Sequence, residues 1–193
     1  LNGIIIRDRM YVYYSGYVLA SALTSAALNG HAFAYLWPQT PAVNGVSLTV
    51  FPCMVISFGT AFALEYLDFI RKRSRERFIG YGFIAAGFGT AAIAMAFSVD
   101  LSFWAAVEIV IFSAVMFVFG AISVLRGHYL GWYFLAGWSV FLLGAGMFAF
   151  NVLGVLPFDV ITVHSKEVGS AFEIIMLSLG MSAIYNHEKE ERY

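Results

Sequence analysis

The stretch LSFWAAVEIVIFSAVMFVFGAISVL, residues 101–125, contains one ionisable side chain, Glu108, in an otherwise apolar run. As an α-helix it would be about 37 Å long, at about 1.5 Å per residue, which exceeds the bilayer hydrocarbon core of about 30 Å. A strand of a membrane β-barrel would instead alternate apolar and polar residues over about ten positions. The stretch therefore predicts a transmembrane helix.

The rest of the chain has the same character. Of its 193 residues, 61% are hydrophobic and 12% are charged, whereas a soluble domain carries about 25% charged residues. The fold class predicted is all-α, a polytopic transmembrane helical bundle. Residues 1–6 are apolar but too short to span, and we expect them to be the inner end of a truncated first helix. Six complete spans are predicted, at about 11–29, 46–68, 78–97, 101–125, 130–153 and 167–186.

The basic residues predict the orientation of these spans. Positive residues mark the cytoplasmic side of a membrane protein, and ten of the eleven basic residues here fall on alternate connections. Only Lys166 lies on the other side. The C-terminus is therefore predicted to be cytoplasmic, with residues 187–193 starting a cytoplasmic signalling helix. The ten residues on the predicted inner side are Arg7, Arg9, Arg71, Lys72, Arg73, Arg75, Arg77, Arg126, Lys189 and Arg192.

Three stretches together resemble a known family. They are the outer loop GHAFAYLWP at 30–38, the segment AGW at 136–138 followed by LGVLP at 153–157, and GSAFE at 169–173. They are similar to the bacterial seven-transmembrane receptors with diverse intracellular signalling modules (7TMR-DISM), and the resemblance covers nearly the whole chain. It implies a receptor whose membrane domain relays an extracytoplasmic signal to a cytoplasmic output.

The resemblance also implies partners and a location. An extracytoplasmic sensor domain would precede the first helix in the same polypeptide, and a histidine kinase or diguanylate cyclase type of output would follow the last. Analogy with coiled-coil outputs implies a homodimer in the bacterial inner membrane. The bilayer is the remaining expected partner, and nucleic acid is not expected.

Two carboxyl groups are predicted deep inside the spans. Glu108 and Glu173 each lie about 10 Å below the outer surface, and ionisable residues within a span are functional candidates by default. Together with Asp100, Asp159 and His164 at the outer edge, they would line a crevice that senses a ligand or a proton. The alternative is structural: each glutamate is protonated and hydrogen-bonded to a neighbouring helix, which locks the bundle.

Other chemistries find little support in the sequence. No lysine lies in mid-membrane for retinal attachment, the histidines are scattered, and Cys53 is interpreted as a small packing residue, so no cofactor and no metal are predicted. No catalytic motif is present, and this chain is predicted not to be an enzyme. Positive-inside topology explains the basic run between the second and third predicted spans, and contact with anionic lipid is the alternative explanation. The run consists of Arg71, Lys72, Arg73, Arg75 and Arg77.

The leading functional hypothesis is a transmembrane signal-transduction domain that relays an outside signal to a C-terminal output. The alternative is a small proton- or cation-coupled transporter or channel that uses Glu108 and Glu173. Transporters often contain inverted repeats and broken helices. The sequence shows no convincing repeat between its halves, and Pro52 is the one proline inside a predicted span.

Overall fold

The computed structural model describes residues 2–69, 75–152 and 154–190. Within these ranges every regular secondary-structure element is a helix, which confirms the all-α class. The helices, in chain order, are α1 (Asn2–Leu28), α2 (His31–Tyr35), α3 (Pro41–Tyr66), α4 (Arg75–Phe97), α5 (Ser102–Leu125), α6 (Tyr129–Val152) and α7 (Val160–Glu190).

Five of these helices are long and apolar enough to cross a membrane. They occupy five of the six predicted spans, and the fold is a transmembrane helical bundle. The sixth prediction, about 11–29, is helical, but α1 is less apolar because tyrosines and small polar residues dilute its hydrophobic positions. The five membrane-crossing stretches are Pro41–Tyr66, Arg75–Phe97, Ser102–Leu125, Tyr129–Phe148 and Val160–Ile184.

The element boundaries differ from expectation at three places. Asn2–Leu28 is one unbroken helix. A separate first helix that ended at residue 6 would require a turn before residue 11, and the chain makes no turn there. The loop at 30–38 contains the short helix α2, which follows Gly30 in a left-handed conformation with a φ of 76°. Helix α7 begins at Val160 rather than near 167, because polar residues such as Ser165 are accommodated within it.

The chain forms two compact units, one comprising the described residues up to Val115 and the other those from Met116 onward. In the first unit α3 packs against both α1 and α4. Its core includes Cys53, Ala91 and Ala105, with Val50 packed against them. This packing places the middle of α3 next to the carboxyl-bearing turn of α5.

In the second unit α6 packs along α7. Large buried side chains such as Phe134 and Trp138 lie on α6, while Leu177 and Met181 are buried on α7. The ring centroids of Phe134 and Trp138 are 5.9 Å apart, in a stacked arrangement. The two helices form an antiparallel pair, since α7 follows α6 after a short connection.

Candidate functional site

Glu108 joins three helices of the first unit. The Thr90 hydroxyl on α4 donates to Oε1 of Glu108 over 2.8 Å, and the Cys53 thiol on α3 lies 3.9 Å from Oε2 as a weak donor. Glu108 itself belongs to α5 and is half-buried, whereas Cys53 is fully buried. Both carboxyl oxygens of Glu108 therefore have partners. Cys53 is one of these partners as well as a packing residue of the core.

A close approach of α3 and α4 positions this cluster. A Cβ added at Gly87 would lie 2.5 Å from the Ser57 hydroxyl oxygen and 2.8 Å from the Cys53 carbonyl oxygen. The same hydroxyl donates to the Cys53 carbonyl over 2.9 Å. Because Gly87 has no side chain, α4 can lie tightly against α3. Thr90 is one helical turn further along α4, and from there its hydroxyl reaches Glu108 on α5.

Glu173 lies in the second unit in a different environment. Its side chain is fully buried on α7, within the membrane-crossing stretch. A Cβ at Gly137 of α6 would lie 3.3 Å from Glu173 Cα and 3.4 Å from its Cγ. The glutamate therefore packs directly on the backbone of α6, where a larger side chain than glycine would push the helices apart.

The close contact of α6 and α7 continues toward the first turns of α7. A Cβ at Gly144 would collide with the Ser165 carbonyl oxygen, and one at Gly169 would lie 3.1 Å from both Phe141 Cα and the Val140 carbonyl oxygen. The Ser165 hydroxyl donates across the interface to the Gly144 carbonyl over 2.9 Å. We call the contact formed by Gly137, Gly144, Ser165, Gly169 and Glu173 the glycine seam.

The connection before α7 is held by a network of hydrogen bonds. Asp159 Oδ1 accepts the backbone N–H of Thr162 over 2.8 Å, and the Asp159 N–H in turn donates to the Thr162 hydroxyl over 3.2 Å. This reciprocal arrangement is a capping box with threonine at the third helical position. Asn151, near the end of α6, donates to the Pro157 carbonyl over 2.9 Å and to the Thr162 hydroxyl over 3.2 Å.

Asp159 therefore caps α7, and this contact accounts for its position. The hydrogen bond from the Thr162 backbone N–H favours the charged carboxylate and lowers the pKa of Asp159 below its usual value. Asp100 has a similar role in the first unit, where Oδ1 accepts the N–H of Ser102 over 2.8 Å at the start of α5. His164 is exposed on the second turn of α7.

The crevice predicted from five residues is distributed over the two units. Glu108 and Asp100 belong to the first, while Glu173, Asp159 and His164 belong to the second. A shared sensing site stays a prediction. Among the residues that the structure describes, no three histidine, cysteine or acidic side chains are grouped closely enough to hold a metal ion.

The predicted lipid-contact run lies at the start of α4. Arg71, Lys72 and Arg73 lie outside the described residues. Arg75 is the first residue of α4, and the Arg77 guanidinium carbon lies 5.1 Å from the centroid of the exposed Phe78 ring. This stacking suits a residue at a membrane interface, where an aromatic ring and a cation occupy the same depth.

Sequence reasoning missed several residues of these sites. Nothing in the local sequence indicates that Thr90 and Cys53 contact Glu108, because the three residues lie on separate helices. The capping box was readable, since an acidic residue precedes Thr162 by three positions at a helix start. The small residues Ser165 and Gly169 are four apart, a spacing typical of close helix contacts in membranes.

Comparison with known proteins identifies the family. The sequence model of the family described as 7TM diverse intracellular signalling matches residues 1–183. No curated protein matches the chain. No solved structure matches it either. Because the family match covers nearly the whole chain, and five of the described helices are suited to cross a bilayer, the chain belongs to the 7TM diverse intracellular signalling family and is a transmembrane signalling receptor domain.

Proposed function

We propose that this domain relays an extracytoplasmic signal to a cytoplasmic output module through α7. The observation that carries the proposal is the continuity of α7, which runs without interruption from Val160 to Glu190. At about 1.5 Å per residue its 31 residues extend about 46 Å, well beyond a hydrocarbon core of about 30 Å. A helix of this length can carry a displacement from one membrane surface to the other.

The outer part of α7 is firmly tied to α6. The capping box and Asn151 hold its first turn, and the glycine seam keeps the two backbones in contact over several turns. Because interdigitated helices have discrete rather than continuous arrangements, a shift of α6 would move α7 as a rigid body. These contacts support a relay in which the α6–α7 pair moves together.

The remaining features of the proposal follow from charge and family. The positive-inside rule supports a cytoplasmic C-terminus in a bacterial inner membrane. The output would be a histidine kinase or a diguanylate cyclase in the same polypeptide, as would the extracytoplasmic sensor domain. Receptors with coiled-coil outputs act as homodimers, and we propose the same assembly here.

Insertions after Ile184, at the end of the membrane-crossing stretch, test the relay in the full receptor. One alanine rotates the following helix by about 100°, whereas seven alanines rotate it by about 700° and return it close to its original face. We expect one alanine to change kinase or cyclase output strongly and seven to preserve it. Equal output from both insertions and the wild type would contradict a rigid α7 relay.

Within this relay we propose that Glu108 responds to a proton or ligand and that Glu173 holds the α6–α7 pair. Glu108 is half-buried and its partners are side chains that can rotate, while Glu173 is fully buried against a helix backbone. Glu108→Gln should therefore alter the response to stimulus, with Glu173→Gln as the matched carboxyl-to-amide variant. A wild-type response in Glu108→Gln would remove the sensing role of Glu108.

Transport is a distinct function that a liposome assay separates from the relay. Helix α3 continues through Pro52 to Tyr66, so this proline does not divide it into the half-helices that transporters often use at the midplane. We expect reconstituted protein to show no proton or cation flux above empty liposomes. Flux that Glu108→Gln abolishes would contradict a pure relay.

A further inference from the structure

The connection between α6 and α7 exposes apolar side chains to an unusual degree. Val155 is 69% exposed, Phe158 is 77% exposed, and the first two residues of α7, Val160 and Ile161, are 79% and 73% exposed. All four lie within seven consecutive positions. A loop in water normally presents polar side chains, because exposed apolar surface is unfavourable there.

The polar groups of the same connection are turned inward. The Pro157 carbonyl accepts hydrogen bonds from both Asn151 and the Thr162 hydroxyl, and Asn151 and Thr162 are buried. Asp159 is exposed, but its carboxylate accepts the backbone N–H of Thr162. Several polar groups of the segment are thus hydrogen-bonded within the protein while its large apolar side chains face outward, an arrangement that suits lipid better than water.

This apolar surface continues along α7. The exposed residues Val168, Ile175 and Leu179 follow Ile161 at intervals of seven, seven and four, which places them on one face of the helix, together with the exposed His164 near its start. They lie within the membrane-crossing stretch of α7. The exposed apolar residues of the connection therefore continue the exposed apolar face of α7 beyond the first residue of that helix.

We propose that residues 154–161 lie in the bilayer interface, with Val155 and Phe158 among the phospholipid acyl chains. The single carboxylate of Asp159 places this segment at the depth where headgroups and acyl chains meet. Under the orientation proposed above, this is the outer leaflet. Because the segment is hydrogen-bonded to the start of α7, its insertion fixes the depth of that helix end in the membrane.

Spin-label accessibility in liposomes tests the proposal. Val155→Cys and Phe158→Cys, each labelled with a nitroxide, replace exposed side chains and leave the hydrogen-bond network intact. The native Cys53 is fully buried, and the parent protein treated with the same label gives its background. Oxygen concentrates in acyl chains and a nickel chelate stays in water, so the ratio of the two relaxation effects reports the surroundings of each label.

Two reference positions calibrate the ratio. Ile175→Cys lies on the exposed face of α7 within the membrane, and Gln39→Cys lies at an exposed polar position between α2 and α3. We expect the ratios at positions 155 and 158 to approach that at position 175 and to exceed that at 39 several-fold. A ratio equal to that at position 39 would place the segment in water and overturn the proposal.

Low accessibility to both reagents would also overturn it, because the segment would then be covered by protein, either a sensor domain or a second copy of the chain. These outcomes are independent of the relay. The label ratio distinguishes lipid from water whichever leaflet is involved, and it makes no use of signalling output. Failure of the lipid contact would leave the proposed role of α7 intact, and failure of the relay would leave the lipid contact intact.

Discussion

Glu108 and Glu173 are the same residue type, predicted at the same depth, yet their surroundings differ. Glu108 is half-buried and its carboxyl oxygens meet the Thr90 hydroxyl and the Cys53 thiol from two other helices. Glu173 is fully buried, and the nearest face of α6 is the backbone around Gly137. Two hydrogen-bonding side chains from other helices reach Glu108, whereas Glu173 lies where the backbones of α6 and α7 approach closely.

This difference predicts unequal tolerance to change. Side-chain hydrogen bonds in the membrane contribute modestly, because alternative partners exist in the less ordered state as well. A close backbone contact has no comparable freedom, since added atoms must displace a whole helix. We therefore expect the glycine seam to be the more sensitive region, with effects that decline toward the capping box at the start of α7.

Truncation of Glu173 should produce the largest effect. Glu173→Ala removes a fully buried side chain and leaves a cavity between α6 and α7, which should lower the free energy of unfolding by about 2–5 kcal/mol. Glu173→Gln preserves the shape and should stay within about 1.5 kcal/mol of the wild type. Unfolding in mixed micelles measures both, and equal losses in the two variants would show that charge, rather than packing, is decisive.

Gly144→Ala should be the next most damaging change. Its Cβ would collide with the Ser165 carbonyl oxygen, so the helices must separate, at a cost of about 1–3 kcal/mol in the free energy of unfolding. Gly146→Ala is the matched control on the same helix, because a Cβ there has no neighbouring atom within 4 Å. Similar thermal melting of the two variants would refute the close contact of the seam.

Loss of the Thr90 hydroxyl should have a smaller effect. Thr90→Val removes the donor to Glu108 and should lower the free energy of unfolding by about 1 kcal/mol. Thr90→Ser retains the hydroxyl and should preserve most of that contribution. If both variants unfold together with the wild type in the same micelle assay, the Glu108 cluster contributes nothing measurable to stability, and its contrast with the seam becomes sharper.

The smallest expected effect is at the Asp159 cap of α7 and depends on pH. Hydrogen bonding to the Thr162 N–H lowers the pKa of Asp159 in the folded protein, so the cap contributes stability above the unfolded value of about 3.9. That contribution is lost as pH falls through the folded pKa. Asp159→Asn keeps an acceptor that does not titrate and should weaken this acid dependence in thermal melts, and an unchanged pH profile would contradict the capping role.

Part of the fold was predictable because it depends on local composition. Long apolar runs require helices in lipid, since each backbone group must be satisfied within its own segment. The five membrane-crossing helices were anticipated for this reason. Helix α7 extends beyond the predicted span to Val160, and polar residues such as Ser165 lie inside it because they bond across to a neighbour, here to the Gly144 carbonyl.

The candidate site was only partly predictable. Glu108 and Glu173 stand out because ionisable groups inside spans are rare. The residues that contact them do not stand out in the sequence. The hydroxyl of Thr90 and the absent side chain of Gly137 matter only because another helix lies against them. Glycine alone does not mark such a contact in the sequence, because a Cβ at Gly82 or at Gly89 would have no neighbouring atom within 4 Å.

The sequence by itself determined that this is a helical membrane domain, that it resembles signalling receptors, and that two glutamates lie inside its spans. These properties follow from hydropathy, from the ordered motifs and from residue type along one chain. The tertiary structure alone decided that Glu108 is bound by side chains from two other helices and that Glu173 packs on the backbone of α6. Such roles depend on atoms brought together from separate helices, and spacing along the chain does not specify those distances.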